Sequence, residues 1–101
     1  MNARDNIAVP REAIAAFCKK HHVQKLAFFG SVLREDFSVA SDVDILVEFA
    51  PGCTPGLDFF KMEAELSYIL GRKVDLNTGG FLSKYFRNQA QAEAEVQYVA
   101  P

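Results

Sequence analysis

Cysteine is scarce in this sequence, and its spacing fits neither a disulfide framework nor a zinc site. The 101 residues contain two cysteines, Cys18 and Cys53, with no Cys-x-x-Cys motif. Small secreted domains that depend on disulfides carry more cysteines at closer spacing. We therefore expect a buried free thiol at Cys18 and a free thiol in a loop at Cys53.

The sequence also lacks an excess of positive charge. Eleven lysines and arginines face thirteen aspartates and glutamates, which gives a net charge of -2. A protein that holds nucleic acid mainly through its phosphates needs a basic surface. The balance therefore argues against strong independent binding of nucleic acid. A single nucleotide carried with metal ions needs no such surface and stays compatible with the charge.

Long apolar runs are absent as well. No segment approaches the roughly 20 apolar residues that a membrane-spanning helix needs. The first residues, Met1–Asn6, are polar and mixed in charge, unlike a signal peptide. Half of the residues are hydrophobic, which is enough for one modest core in a chain of this length. We predict one domain over residues 1–101 in the cytoplasm, without a membrane partner.

Hydrophobic periodicity predicts alternating helices and strands. The first helix begins near Pro10 and carries an apolar stripe at i, i+3, i+4 and i+7, made of Ile14, Phe17, Cys18 and His21. Further helices are expected over Val32–Asp36, Leu57–Leu70 (ended by Gly71) and Ser83–Glu95. Strands are expected over Gln24–Phe29, Asp42–Phe49 and Lys73–Thr78, with a short extended segment over Val96–Pro101. This order predicts an α/β or α+β fold, a small mixed sheet flanked by helices.

Two aspartates open the clearest strand, in the motif Asp42-Val-Asp44. Because side chains alternate along a strand, both carboxylates project from one side, about 7 Å apart. Two such charges repel each other unless divalent cations lie between them. Magnesium suits this arrangement, since it binds one or two protein carboxylates and completes its shell with phosphate oxygens and water.

A third carboxylate, Asp75, lies in the next predicted strand. If that strand is a neighbour of the strand of Asp42 and Asp44, about 5 Å separates them, and Asp75 can complete a three-carboxylate cluster. Two metal ions about 4 Å apart can then clamp the attacking and leaving oxygens of an in-line displacement. This is the requirement for phosphoryl or nucleotidyl transfer.

A phosphate site is predicted beside these carboxylates. Gly30-Ser31 joins a strand to a helix start, where glycine lets the backbone approach a ligand and free amides attract phosphate. Ser31 adds a hydroxyl donor, and Arg34 is placed one helical turn further on to reach a phosphate. Each of these features alone is common in proteins, and the prediction depends on their combination.

The combined motifs resemble those of the DNA polymerase β-like nucleotidyltransferase superfamily. The segments FGSVLREDF and SDVDILVEF, followed by ELSYILGRKVDL, are similar in particular to the minimal nucleotidyltransferases. Those are small prokaryotic proteins paired with a HEPN-domain toxin as its antitoxin. The resemblance extends from about Lys25 to Asn88. One departure is Glu35, which stands after Arg34 where many members have glycine and puts a negative charge near the expected phosphates.

The resemblance implies a role for each motif residue. Gly30 and Ser31 would hold the triphosphate of ATP, while Asp42 and Asp44 would bind two Mg²⁺ ions. Asp75 would be the third carboxylate, which orients the attacking hydroxyl and helps to deprotonate it. The implied reaction is transfer of AMP from Mg-ATP to a hydroxyl, a tyrosine of the partner HEPN toxin, which the modification would silence.

Two other functions stay open at this point. The chain could be a binding module with a nucleotidyltransferase fold that neutralises its partner by contact alone, through a patch of Phe81, Tyr85 and Phe86. It could also act on a small molecule, as aminoglycoside nucleotidyltransferases do, although those resemble it only in the core motif and carry an added helical domain. Neither a homodimer nor a hetero-oligomer with the partner is excluded.

Overall fold

A computed structural model describes residues 7–33, 37–38, 41–53, 55–78 and 95–101. In chain order the elements are helix α1 (Arg11–Lys20), strand β1 (Val23–Phe29), a 3₁₀ turn (Gly30–Leu33), strand β2 (Val43–Phe49), helix α2 (Asp58–Leu70), strand β3 (Val74–Thr78) and strand β4 (Glu95–Val99). Among the described residues, no helix combines the length and apolar character needed to cross a membrane.

The four strands form one mixed sheet in the order β3-β2-β1-β4. Strand β1 pairs antiparallel with both β2 and β4. Strand β2 pairs parallel with β3, and α2 is the crossover that a parallel connection requires. The predicted α+β fold with a small mixed sheet is therefore confirmed.

One face of the sheet forms the hydrophobic core with both helices. Apolar side chains alternate with polar ones along β3 and, apart from Leu46, along β2, so every second residue points to the helices. The core combines Ile14, Phe17 and Cys18 of α1 and Met62 and Leu66 of α2 with Leu26, Phe28, Val43, Ile45, Val47, Val74 and Leu76 of the sheet. The opposite face carries the polar residues of β2 and β3 together with Leu46, which is also buried.

The ends of α2 and β3 are joined by side-chain hydrogen bonds. Gly71 ends α2 in the left-handed conformation (φ 66°), as its position in the sequence predicted. The hydroxyl of Ser67 accepts a hydrogen bond from Val74 N at 3.1 Å, and Glu63 Oε2 accepts one from Leu76 N at 2.9 Å. These bonds fix β3 against the helix and satisfy two amides of the outer strand.

The two cysteines lie where the sequence indicated. Cys18 is buried and Cys53 is half-buried in a loop, and both are free thiols. Burial raises the pKa of the Cys18 thiol to about 12, so this thiol stays protonated and unreactive at neutral pH.

His21 caps the C-terminal end of α1: its backbone N–H is bonded to Phe17 O, and its Nε2 lies 3.0 Å from Glu65 Oε1. Two predictions about the elements need correction. Of the short helix predicted over Val32–Asp36, Val32 and Leu33 belong to a 3₁₀ turn that begins at Gly30, and residues 34–36 lie outside the described residues. Glu95 is the first residue of β4 and not the end of a helix, and the tail extends the sheet as expected. The remainder of the predicted last helix, residues 83–94, lies outside the described residues.

Candidate active site

The sheet face opposite the helices carries the three predicted carboxylates. Asp42 directly precedes β2 and Asp44 lies within it, two residues further on, so both take the same face. The parallel register pairs Asp44 with Asp75 of β3. Paired strands lie about 4.8 Å apart, so Asp44 and Asp75 are direct neighbours across the two strands. The expectation that these strands are adjacent is thereby confirmed.

Gly30 allows the chain to pass directly beside Asp44. Strand β1 pairs Phe29 with Asp44, which brings the end of β1 to this carboxylate. A Cβ atom on Gly30 would collide with Oδ2 of Asp44 and would lie 3.2 Å from its Cγ. Gly30 also has a φ of 74°, a conformation that other residues rarely adopt. Glycine is thus required here for two separate reasons, the space and the backbone conformation.

A lysine lies beside the first carboxylate. Lys73 Nζ is 3.9 Å from Asp42 Oδ2, and the two side chains are 80% and 43% exposed. Water screens such a pair, so it adds less than about 1 kcal/mol to stability. No role was predicted for Lys73 from the sequence. The available signal was its position two residues before Asp75, on the same face of the strand.

The residues predicted to bind phosphate are only partly described. Gly30 and Ser31 begin the 3₁₀ turn that follows β1. Arg34 and Glu35 lie outside the described residues, and the role of Ser31 and Arg34 in holding a triphosphate stays a prediction.

An arginine near the site was not predicted from the sequence. Arg72 Nη2 donates a hydrogen bond of 2.8 Å to the carbonyl of Ser38, in the segment that leads to Asp42. The two residues are 34 positions apart, so no local pattern could have linked them. Only the tertiary structure, which sets the start of β3 beside the start of β2, brings them together.

The carboxylates fit a metal ion that is shared with a nucleotide. In the part of the chain that the structure describes, no three Asp, Glu, His or Cys side chains lie close enough to hold an ion by themselves. The side chains of Asp42, Asp44 and Asp75 offer only hard oxygen donors. The absence of a side chain at Gly30 provides the space in which the Asp44 carboxylate lies. Magnesium takes one or two protein carboxylates and relies on phosphate oxygens and water for the rest.

Comparison with known sequences decides the family. The sequence model of the nucleotidyltransferase domain matches residues 10–98. The chain belongs to the nucleotidyltransferase domain family. A relative from Methanocaldococcus jannaschii, described as a candidate protein adenylyltransferase, is 34% identical to this nucleotidyltransferase over 89 residues, which cover 88% of this chain and 95% of the relative.

Solved structures agree with this assignment. A protein described as a candidate minimal nucleotidyltransferase superposes with a TM-score of 0.67 at 34% identity, over 93% of this chain and 94% of that one. A toxin–antitoxin structure with AMP-PNP gives a TM-score of 0.73 at 19% identity, over 91% and 75% of the two chains. A tri-AMPylated HEPN toxin of Shewanella oneidensis in complex with an MNT antitoxin gives 0.64 at 20% identity, over 89% and 70%. At these last two identities the likeness concerns the fold.

Family membership gives the carboxylate face its chemical context. This protein is an enzyme of the nucleotidyltransferase class, whose substrate is a nucleotide and whose reaction typically uses a divalent metal ion. The polar face of β2 and β3 is where the sequence and the fold bring suitable acidic side chains together.

Proposed function

We propose that this nucleotidyltransferase transfers AMP from Mg-ATP to a tyrosine hydroxyl of a HEPN-domain toxin and acts as the antitoxin of that toxin. The observation that carries the proposal is the pairing of Asp44 with Asp75 across neighbouring strands, with Gly30 directly against Asp44. Neighbouring carboxylates repel each other and lower the stability of the folded protein unless a bound cation offsets their charge.

Each site residue has a role in this reaction. Asp42 and Asp44 would hold the divalent metal, which would supply positive charge to offset that of the triphosphate. Asp75 accepts a hydrogen bond from the attacking hydroxyl and takes its proton. The hydroxyl oxygen forms a bond to the α-phosphorus of ATP, the bond from this phosphorus to the bridging oxygen breaks, and pyrophosphate leaves. Ser31 and Arg34, which follow β1 in the sequence, would bind the phosphates.

Two relationships support the nature of the acceptor. The M. jannaschii relative is described as a candidate adenylyltransferase of proteins, which favours a protein acceptor. The superposed S. oneidensis complex contains a HEPN toxin that carries three AMP groups, which favours a toxin of this class. Asp75 is exposed at the sheet edge, which suits an accessible hydroxyl of a partner protein as the acceptor.

Neutralisation by binding alone is the competing function. The aromatic patch that would support it, Phe81, Tyr85 and Phe86, lies outside the described residues. Pure binding gives no reason for an aspartate pair across β2 and β3, nor for a glycine that leaves room for the carboxylate of Asp44. We therefore favour the enzymatic antitoxin.

The experiment supplies the protein and its candidate partner with MgCl₂ and ATP labelled in either the α- or the γ-phosphate. The partner is the purified product of the neighbouring gene. Transfer of the α-label alone is expected, because AMP is retained and pyrophosphate leaves. Mass spectrometry of the labelled partner should locate AMP on a tyrosine. Transfer of the γ-label would indicate phosphorylation and would overturn the proposal.

The matched variants are Asp42→Asn with Asp44→Asn, and Glu48→Gln. Glu48 is an exposed carboxylate on the same face of β2, at the other end of the strand. The Glu48→Gln protein should transfer label as the wild type does, whereas the double variant should transfer none. A partner that is bound and inhibited equally by the double variant, without label, would establish the binding module instead.

A further inference from the structure

Arg72 connects the end of α2 to the segment that precedes Asp42. Its backbone amide donates to Ser67 O at 3.2 Å and so closes the helix. Its guanidinium lies over the ring of Phe37, with Cζ 4.6 Å from the ring centroid, and Nη2 donates to Ser38 O at 2.8 Å. The Arg72 side chain thus contacts Phe37 and Ser38, two consecutive residues of the segment that leads to Asp42.

Ser38 links Arg72 to Ser41, the residue directly before Asp42. The same carbonyl of Ser38 that accepts from Arg72 also accepts from Ser41 N at 3.0 Å. In return, Ser38 N donates to Ser41 Oγ at 3.2 Å, and the two hydroxyls lie 3.3 Å apart. Ser38 and Ser41 are therefore joined by several hydrogen bonds, and Arg72 donates one more to the Ser38 carbonyl.

The residue after Asp42 is tied to the same place. Val43 N donates to Lys73 O at 2.9 Å. Asp42 therefore lies between two residues whose backbone amides are hydrogen-bonded. The Ser41 amide donates to Ser38 O, which also accepts from Arg72, and the Val43 amide donates to Lys73 O. These two bonds attach the backbone on either side of Asp42.

We propose that Arg72 is a positioning residue for Asp42, acting through Ser38 and Ser41 on a carboxylate that it does not touch. The inference rests on the proposed role of Asp42 as a metal ligand. Arginine suits the task better than lysine, because its planar group can stack on Phe37 and donate to a carbonyl simultaneously. Its Nε is buried without a hydrogen-bond partner among the described residues.

The test compares Arg72→Met and Arg72→Lys with the wild type, and with Arg11→Met as the matched control. Arg11 is an exposed arginine at the start of α1, far from the carboxylate face in the fold. Hydrogen exchange would follow the amides of Ser41 and Val43. Electron paramagnetic resonance would measure Mn²⁺ binding in the presence of α,β-methylene-ATP, an analogue that cannot lose pyrophosphate. The transfer assay described above would give the rate.

We expect Arg72→Met to speed exchange of the Ser41 amide and to weaken Mn²⁺ binding about tenfold, the change that loss of one hydrogen bond from a charged donor brings. The transfer rate should fall by up to about 100-fold, since small displacements of catalytic groups have effects of that size. Arg72→Lys should lie between Arg72→Met and the wild type, and Arg11→Met should match the wild type. In Asp42→Asn protein, adding Arg72→Met should lower Mn²⁺ binding no further.

Wild-type Mn²⁺ binding and transfer by folded Arg72→Met would overturn the inference. If that variant does not fold, Ser41→Ala is the second test, because it removes the acceptor of the Ser38 amide and leaves Arg72 in place. Mn²⁺ binding by Ser41→Ala equal to that of the wild type would then count against the inference. Transfer by the Asp42→Asn, Asp44→Asn protein would instead refute the proposed function, which separates the two failures.

Discussion

The carboxylate of Asp44 occupies the space that a side chain at Gly30 would need. Asp44 Cγ would lie 3.2 Å from a Cβ atom at position 30, and Oδ2 would be in collision with it. The contact links the end of β1 to the centre of the carboxylate face, so the turn predicted to bind phosphate and the predicted metal ligand are direct neighbours.

Gly30→Ala should therefore abolish transfer, even in protein that still folds. The methyl group would push the Asp44 carboxylate aside, and the φ of 74° would add a backbone cost of about 1–2 kcal/mol. Gly52→Ala is the matched control, because Gly52 has a φ of 79° and a Cβ added there would meet no atom within 4 Å. Thermal unfolding and the transfer assay should show similar destabilisation in both variants and lost transfer only at Gly30. Equal activity of the two would contradict a role for the contact.

Asp75→Asn should lower kcat for transfer by about 100-fold to 10,000-fold, the range that general acid–base groups contribute. The KM for ATP should change much less, because the proposed role of Asp75 concerns the acceptor hydroxyl. Steady-state kinetics with the toxin as acceptor would measure both parameters. Asp58→Asn, which alters an exposed carboxylate at the start of α2, is the control. A rise in KM at constant kcat would assign Asp75 to nucleotide binding instead.

The sequence was most informative where a pattern is local. Alternation along β2 predicted which side Asp42 and Asp44 share, and Gly71 predicted the end of α2, because strand pleat and helix termination depend on a few consecutive residues. The pairing of Asp44 with Asp75 could be predicted only conditionally, since it requires two strands to be neighbours. The contact between Arg72 and Ser38 could not be predicted at all, because it depends on side-chain placement between distant segments.

Two leucines, one within α2 and one directly before it, allow the contribution of burial to the free energy of unfolding to be measured at constant residue type. Leu66 is fully buried in the core, whereas Leu57 is 84% exposed. We expect Leu66→Ala to lower the free energy of unfolding by about 2–5 kcal/mol through lost burial and a cavity. Leu57→Ala should change it by about 0.5 kcal/mol or less. Urea unfolding at constant pH would measure both, and equal losses would mean that Leu57 is covered in solution.

Glu65 gives the contact between α1 and α2 a pH dependence. Burial alone raises the pKa of Glu65, but hydrogen bonds and positive charges from His21 and Lys20 outweigh burial and hold the pKa below its ordinary value of 4.5. The ionised carboxylate therefore stabilises the folded protein at neutral pH. This stabilisation is lost as the pH falls below about 4.5 and through the lowered folded-state value.

Glu65→Gln should accordingly destabilise the protein at pH 7 by a few tenths to about 1 kcal/mol, the range for partly exposed ion pairs. The difference from the wild type should shrink as the pH falls below about 4.5, because the wild-type carboxylate is then protonated too. Thermal unfolding across this range would follow it, with Glu48→Gln as a control for loss of an exposed glutamate. A difference that persists at low pH would indicate that packing, and not charge, explains the effect.

The hydrogen bonds from β3 to α2 also limit how this protein can associate. An outer strand with unpaired amides invites another chain to add a strand to the sheet. On β3 the amides of Val74 and Leu76 are already bonded to Ser67 and Glu63, so an incoming strand would have to displace the helix side chains first. Extension of the sheet by an added strand, in a larger assembly or in an aggregate, is therefore disfavoured at the edge that carries Asp75.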